Sequence, residues 1–164
     1  MHTNAPRPPL VLVVDDDRLS REIIAGALDG LSIRIEQAAS VEAARAILRS
    51  HRVDVVVADQ VLPGQSGLSF LSALRDLDAE PRRILVTGEA DLGTAVAAIN
   101  QAEVFRFLVK PIDRVALRLA VFLAVESLER ERTDRAALAA VRSSPMLAAL
   151  VGAETARRAA GAAA

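Results

Sequence analysis

The sequence predicts an α/β fold, a doubly wound parallel sheet of five strands with an extended C-terminal helix. Two observations carry this. Short apolar runs of strand length alternate with stretches of helical periodicity, an order that builds parallel sheets covered on both faces. The runs also end abruptly on residues able to do chemistry: "DDD" (15–17), Asp59, Thr87 and Lys110. In sheets of this kind such residues gather at the carboxyl ends of the strands, where the strand order reverses.

The elements follow in order. "LVLVV" (10–14) has the uniform apolar character of a strand buried on both faces. Residues 18–29 place Leu19, Ile23, Ile24 and Leu28 on one helical stripe, and Gly30 ends it. "IRIEQA" (33–38) alternates as a half-exposed strand does. Ser40 is the N-cap expected for the helix "VEAARAILRSH". "VDVVVA" (53–58) is the third strand, and Ser66 caps "GLSFLSALRDL". Pro81 precedes the strand "RILVT" (83–87), a helix covers 91–102, and "VFRFLV" (104–109) is the fifth strand. A long helix runs from near Asp113 to residue 142.

Composition narrows the function. Twenty basic against twenty-one acidic residues leave no broad positive face for nucleic acid. The absence of cysteine excludes disulfides and Cys-ligated zinc and suits a cytoplasmic protein. No apolar run approaches the roughly 20 residues needed to cross a bilayer, and no signal segment or membrane partner is expected. His2 and His51 lie far from the acidic motifs and read as solvated. No G-x-G-x-x-G, Walker or Ser-His-Asp pattern occurs.

The strand ends carry the chemistry. Close carboxylates repel unless a cation shares them. Hard oxygen ligands with room for water suit Mg²⁺, or Mn²⁺ in its place. A metal beside one carboxylate, with an amine and a hydroxyl opposite, is a cradle for a phosphoryl group, and a carboxylate can itself be the nucleophile. Asp59 lies seven residues before Ser66, too far to cap the helix there. It is therefore the residue expected to be phosphorylated.

Four motifs, "VVDDD....R" ending at Arg21, "D..LPG.SG" from Asp59 to Gly67, "VTGEAD" around Thr87 and "FLVKP" at Lys110-Pro111, together closely resemble the receiver (CheY-like) domains of bacterial two-component response regulators. The resemblance covers residues 9–128 and implies the flavodoxin-like version of the fold. It implies that Asp16 binds the metal directly, that Asp15 binds it directly or through water, and that Asp59 and the Val61 carbonyl complete the protein ligands. Asp17 falls where a helix N-cap is wanted. Lys110 and Thr87 would contact the phosphoryl group, with a cis bond between Lys110 and Pro111. Thr87 and Phe107 would form the switch, Phe107 keeping the ring of the family's frequent tyrosine without its hydroxyl. Val61 and Glu89 would tune the phosphoryl lifetime. The expected partners are a histidine kinase or phosphotransfer protein, and a downstream protein met through helix 91–102, the fifth strand and the last helix. A homodimer is a further option.

The end of the chain is different. Residues 129–142 extend the last helix, which carries the i,i+4 pairs Glu126–Arg130 and Glu131–Arg135. A heptad seam through Val121 and Leu128 meets Arg135, so a solvent-bridging helix is expected rather than a coiled coil. Residues 143–164 form an Ala-rich tail too short for an output domain. Two architectures follow: a stand-alone receiver that signals by binding, or the regulatory piece of a larger chain. In neither is the domain an enzyme beyond promoting its own phosphoryl transfer and dephosphorylation.

Overall fold

A computed structural model describes residues 7–88, 93 and 102–144. Five strands, β1 (Leu10–Val14), β2 (Arg34–Ala38), β3 (Val55–Asp59), β4 (Arg82–Thr87) and β5 (Arg106–Val109), form one sheet. The order is β2-β1-β3-β4-β5 with every pairing parallel. The chain therefore steps outward from β1 to β2, crosses back to β3, and winds the other way through β4 to β5. That reversal sets the ends of β1 and β3 side by side. The helices are α1 (Arg18–Leu28), α2 (Val41–Ser50), α3 (Gly67–Leu77) and α4 (Arg114–Ser143). Of the helix expected over 91–102, all but residues 93 and 102 lie outside the described residues. Among those described, no helix is long and apolar enough to cross a membrane.

Alternation within the central strands sorts the core into two layers. Leu10, Leu12 and Val14 of β1, with Val56, Ala58 and Leu85, meet Val41 and Ala44 of α2 and Phe70, Leu71 and Leu74 of α3. Val11 and Val13, with Val55, Val57, Ile84 and Val86, meet Ile24, Ala27 and Leu28 of α1 and Leu117, Ala120, Val121 and Ala124 of α4. The strands that read as continuous apolar runs are those buried from both sides. β2, with its alternating pattern, is an edge strand.

The helix starts match their capping side chains. Asp17, Ser40 and Ser66 accept hydrogen bonds from the backbone N–H of Ser20, Ala43 and Ser69. Asp113 does the same for Ala116 at 2.7 Å, so α4 begins one residue later than its cap.

The structure corrects one face of α1. Leu19 and Ile23 are exposed, and Ile24, Ala27 and Leu28 are buried. At 3.6 residues per turn the expected stripe from Leu19 to Leu28 spans about 180° of the helix. The sheet covers only part of that arc, the part that carries Ile24, Ala27 and Leu28. β3 and β5 also begin two residues late, at Val55 and Arg106. Before β3, the buried Asp54 carboxylate accepts from Leu10 N–H at 2.7 Å and from Arg7 at 3.1 Å.

Two compact units divide the chain, residues 1–128 and 129–164. In the first, α4 buries Leu117, Ala120, Val121, Ala124 and Leu128. In the second, nearly all of its residues through Ser143 are exposed, and Glu131 pairs with Arg135 at 2.9 Å. Glu126 and Arg130, the other expected pair, fall on either side of the boundary.

Candidate functional site

The site is built from the carboxyl ends of β1, β3, β4 and β5. Asp15 follows β1 and is 1% exposed, Asp59 ends β3 at 6%, and Thr87 ends β4 at 2%. Lys110 follows β5, and its ammonium lies 2.6 Å from Asp59 Oδ1 and 3.3 Å from Asp15 Oδ2. Register fixes this meeting. Asp59 pairs with Val86 and Thr87 with Val109, while Gln60 N–H and Lys110 N–H donate to the carbonyls of Val86 and Thr87, each at 2.7 Å. The end of β4 is thus the ruler against which both Asp59 and Lys110 are set.

Each carboxylate is further oriented. Asp59 Oδ2 accepts from Val61 N–H at 2.8 Å, folding the loop after β3 back over the side chain. Asp15 Oδ1 accepts from Asp17 N–H at 2.9 Å and Oδ2 from Ser20 Oγ at 2.6 Å. Burial alone would lower the Lys110 pKa. The hydrogen bond and charge of Asp59, joined by Asp15, outweigh it and hold the ammonium above its ordinary value. The lysine is charged at neutral pH and serves as internal counter-ion to two buried acids.

The other expected residues divide. Asp16 is exposed, so the adjacent acids Asp15 and Asp16 occupy different environments. Val61 is exposed at the rim of the pocket. Phe107 is half-buried against the α2–α3 layer of the core. It pairs with Leu85, two residues before Thr87 on the same strand, so ring and hydroxyl belong to one face of the sheet. The Lys110–Pro111 bond is cis. Glu89 lies outside the described residues. His51 is exposed, hydrogen-bonded to Ser50 at 2.9 Å; His2 is not among the described residues.

A metal would meet a partly assembled donor set. Among the described residues no three acidic or imidazole side chains form a ready cage. Two carboxylates do converge on one cation, the Lys110 ammonium. Mg²⁺ keeps several waters and needs only one or two protein carboxylates. Two buried acids that already share a cation, with the exposed Asp16 next to one of them in the chain, fit that demand.

Sequence reasoning passed over two supports. Arg21 marked the end of a motif, but its contacts were not foreseen: Nη1 donates to the carbonyls of Asp15 at 2.7 Å and Asp16 at 3.1 Å. Gly67 enters the sequence pattern only as the end of a motif and the first residue after the Ser66 cap, yet its backbone lies against the Asp59 carbonyl, where a Cβ would overlap it. Gly67→Ala is expected to push α3 off the end of β3 at a cost of about 1–3 kcal/mol. Urea denaturation reads this; unchanged stability would show that the loop after β3 yields freely.

Comparison with known proteins places these features. The family model for the response regulator receiver domain matches residues 11–122. The hydrogenase transcriptional regulatory protein HoxA of Cupriavidus necator is 35% identical over 101 residues, 62% of this chain and 21% of that protein. The C4-dicarboxylate transport transcriptional regulatory protein DctD of Rhizobium meliloti is 31% identical over 143 residues, 85% of this chain and 31% of that protein. The chain thus spans a fifth to a third of these relatives. Among solved structures, the signal receiver domain of an HD domain-containing protein from Pseudomonas fluorescens Pf-5 superposes with a TM-score of 0.72 at 31% identity, over 76% of this chain and 99% of that one.

Proposed function

The chain belongs to the response regulator receiver family, and on that footing we propose that it accepts a phosphoryl group on Asp59 and thereby switches a protein-binding surface. The observation that carries this is the Asp59–Lys110–Asp15 constellation at the meeting of three strand ends. An Asp59 carboxylate oxygen attacks the phosphorus of a phosphodonor, the new O–P bond forms as the bond to the leaving group breaks, and the donor departs with that electron pair. As Asp59 is consumed, Lys110 passes from its carboxylate to a phosphoryl oxygen, and the Thr87 hydroxyl donates to another. Asp15, Asp16, Asp59 and the Val61 carbonyl would hold Mg²⁺ or Mn²⁺, which when bound offsets the negative charge of acids and phosphoryl group together. Val61, exposed beside the site, and Glu89, by its place two residues after Thr87 in the sequence, would tune the phosphoryl lifetime.

The phosphodonor is a histidine kinase or phosphotransfer protein, with the cytoplasm as the setting. Output leaves through the surface that includes β5 and α4. The shared sheet face of Thr87 and Phe107 supports this: a hydroxyl drawn toward the phosphoryl group leaves room into which the ring packs. Whether the switched surface serves a separate protein or an output domain of a longer chain, the chemistry at Asp59 is the same.

The test is intact-mass analysis with acetyl phosphate and Mg²⁺. One phosphoryl group should add to the wild type and none to Asp59→Asn. Mass gain that persists in the variant would move the acceptor elsewhere.

A further inference from the structure

α1 reaches back onto the acidic loop with more than its cap. Asp17 caps the helix, Ser20 Oγ holds Asp15 Oδ2 at 2.6 Å, and Arg21 Nη1 bridges the carbonyls of Asp15 and Asp16 at 2.7 and 3.1 Å. Two successive carbonyls turned toward one guanidinium fix the loop between β1 and α1, and with it the directions in which the two acids leave the backbone. The Asp15 side chain is buried beside Lys110, and Asp16 is exposed. We propose that Arg21 is a positioning residue for metal binding, acting as a backbone clamp that presents Asp15 and Asp16 to one cation. The inference rests on the reading above, in which those acids help to hold Mg²⁺.

Charge and geometry make opposite predictions here, which is what makes the role testable. A guanidinium beside a cation site repels the cation, so loss of its charge alone would tighten binding. Loss of a clamp would weaken it, because outer-shell partners that orient ligands are worth roughly 10–100-fold in metal affinity. Geometry should win, since the bonds are made to carbonyls of both ligand residues and the half-buried guanidinium remains partly screened by water.

The experiment is calorimetric titration of Mg²⁺ into the wild type, Arg21→Gln and Arg21→Lys, with metal-free thermal midpoints measured alongside. Arg21→Gln should bind Mg²⁺ roughly tenfold more weakly. Arg21→Lys, which keeps the charge and loses the planar fork, should fall between it and the wild type. Arg21→Gln binding as tightly as the wild type, or more tightly, would overturn the clamp. If Arg21→Gln does not fold, Arg21→Lys decides alone: weakened binding supports the clamp and unchanged binding overturns it. A wild type that neither binds Mg²⁺ nor gains phosphoryl mass at Asp59 would overturn the functional reading and the clamp together. A wild type that does both while Arg21→Gln matches its affinity would overturn the clamp alone.

Discussion

Lys110→Ala is expected to slow phosphorylation of Asp59 about 10²-fold while tightening the binding of Mg²⁺. The two effects have one origin. In the resting site the ammonium touches Asp59 at 2.6 Å and Asp15 at 3.3 Å, so it stabilises the ground state as well as, on the proposed reading, a transferring phosphoryl group. Only the difference accelerates the reaction. That places the loss at the lower end of the roughly 10²–10³ usual for removing one charge-stabilising donor. The same two carboxylates are those a divalent cation would need, so lysine and metal compete, and removing the lysine frees both. Mass-resolved time courses with acetyl phosphate read the first effect and calorimetry the second. Weaker Mg²⁺ binding in the variant would show that Lys110 and the metal do not compete for these acids.

The same pair has a pH signature. The folded state raises the Lys110 pKa, so the stability it contributes is fully present below the ordinary lysine value of about 10.4 and lost as pH climbs through the higher folded value. The wild type should therefore lose stability in that alkaline window more steeply than Lys110→Ala.

What the sequence made legible was what local spacing decides. Asp17, Ser40 and Ser66 could be read as caps because the N–H each accepts from lies three residues ahead. The doubly apolar strands followed from runs such as Val55–Ala58, and their order placed Asp15, Asp59, Thr87 and Lys110 on one edge. The orientation of α1 was hidden, since Leu19, Ile23, Ile24 and Leu28 are all apolar and only the sheet decides which part of the arc is covered. The split between Asp15 and Asp16 was equally hidden: adjacent acids look alike until one is turned inward onto Ser20 and Lys110. Gly67 against Asp59 and Arg21 against two carbonyls are backbone approaches, which leave no periodicity to read.

Arg83 is the largest feature of this kind, and its removal should have the largest effect on stability. It lies near the start of β4, a strand that reads as apolar, and only 4% of it is exposed. Burial lowers its pKa, with Glu103 at 3.7 Å working the other way. The guanidinium is kept there by carbonyls: Nε donates to Ala102 at 2.7 Å, and Nη1 to Pro81 at 3.0 Å and Ala79 at 3.2 Å. One side chain thus ties the loop before β4 to the segment entering β5, the strand that ends at Lys110. Arg83→Ala leaves those carbonyls without their donor and opens a cavity, together about 3–5 kcal/mol. Arg83→Met fills most of the space and loses only the donors, so it should cost about 1–3 kcal/mol. Urea denaturation should rank wild type above Met and Met above Ala. A methionine variant as stable as the wild type would mean that desolvating the guanidinium cancels its hydrogen bonds, as replacement of buried ion pairs by apolar side chains has shown can happen. Arg83 would then contribute the placement of β5 rather than stability, and the loss would appear in the transfer rate at Asp59 instead of in the denaturation midpoint.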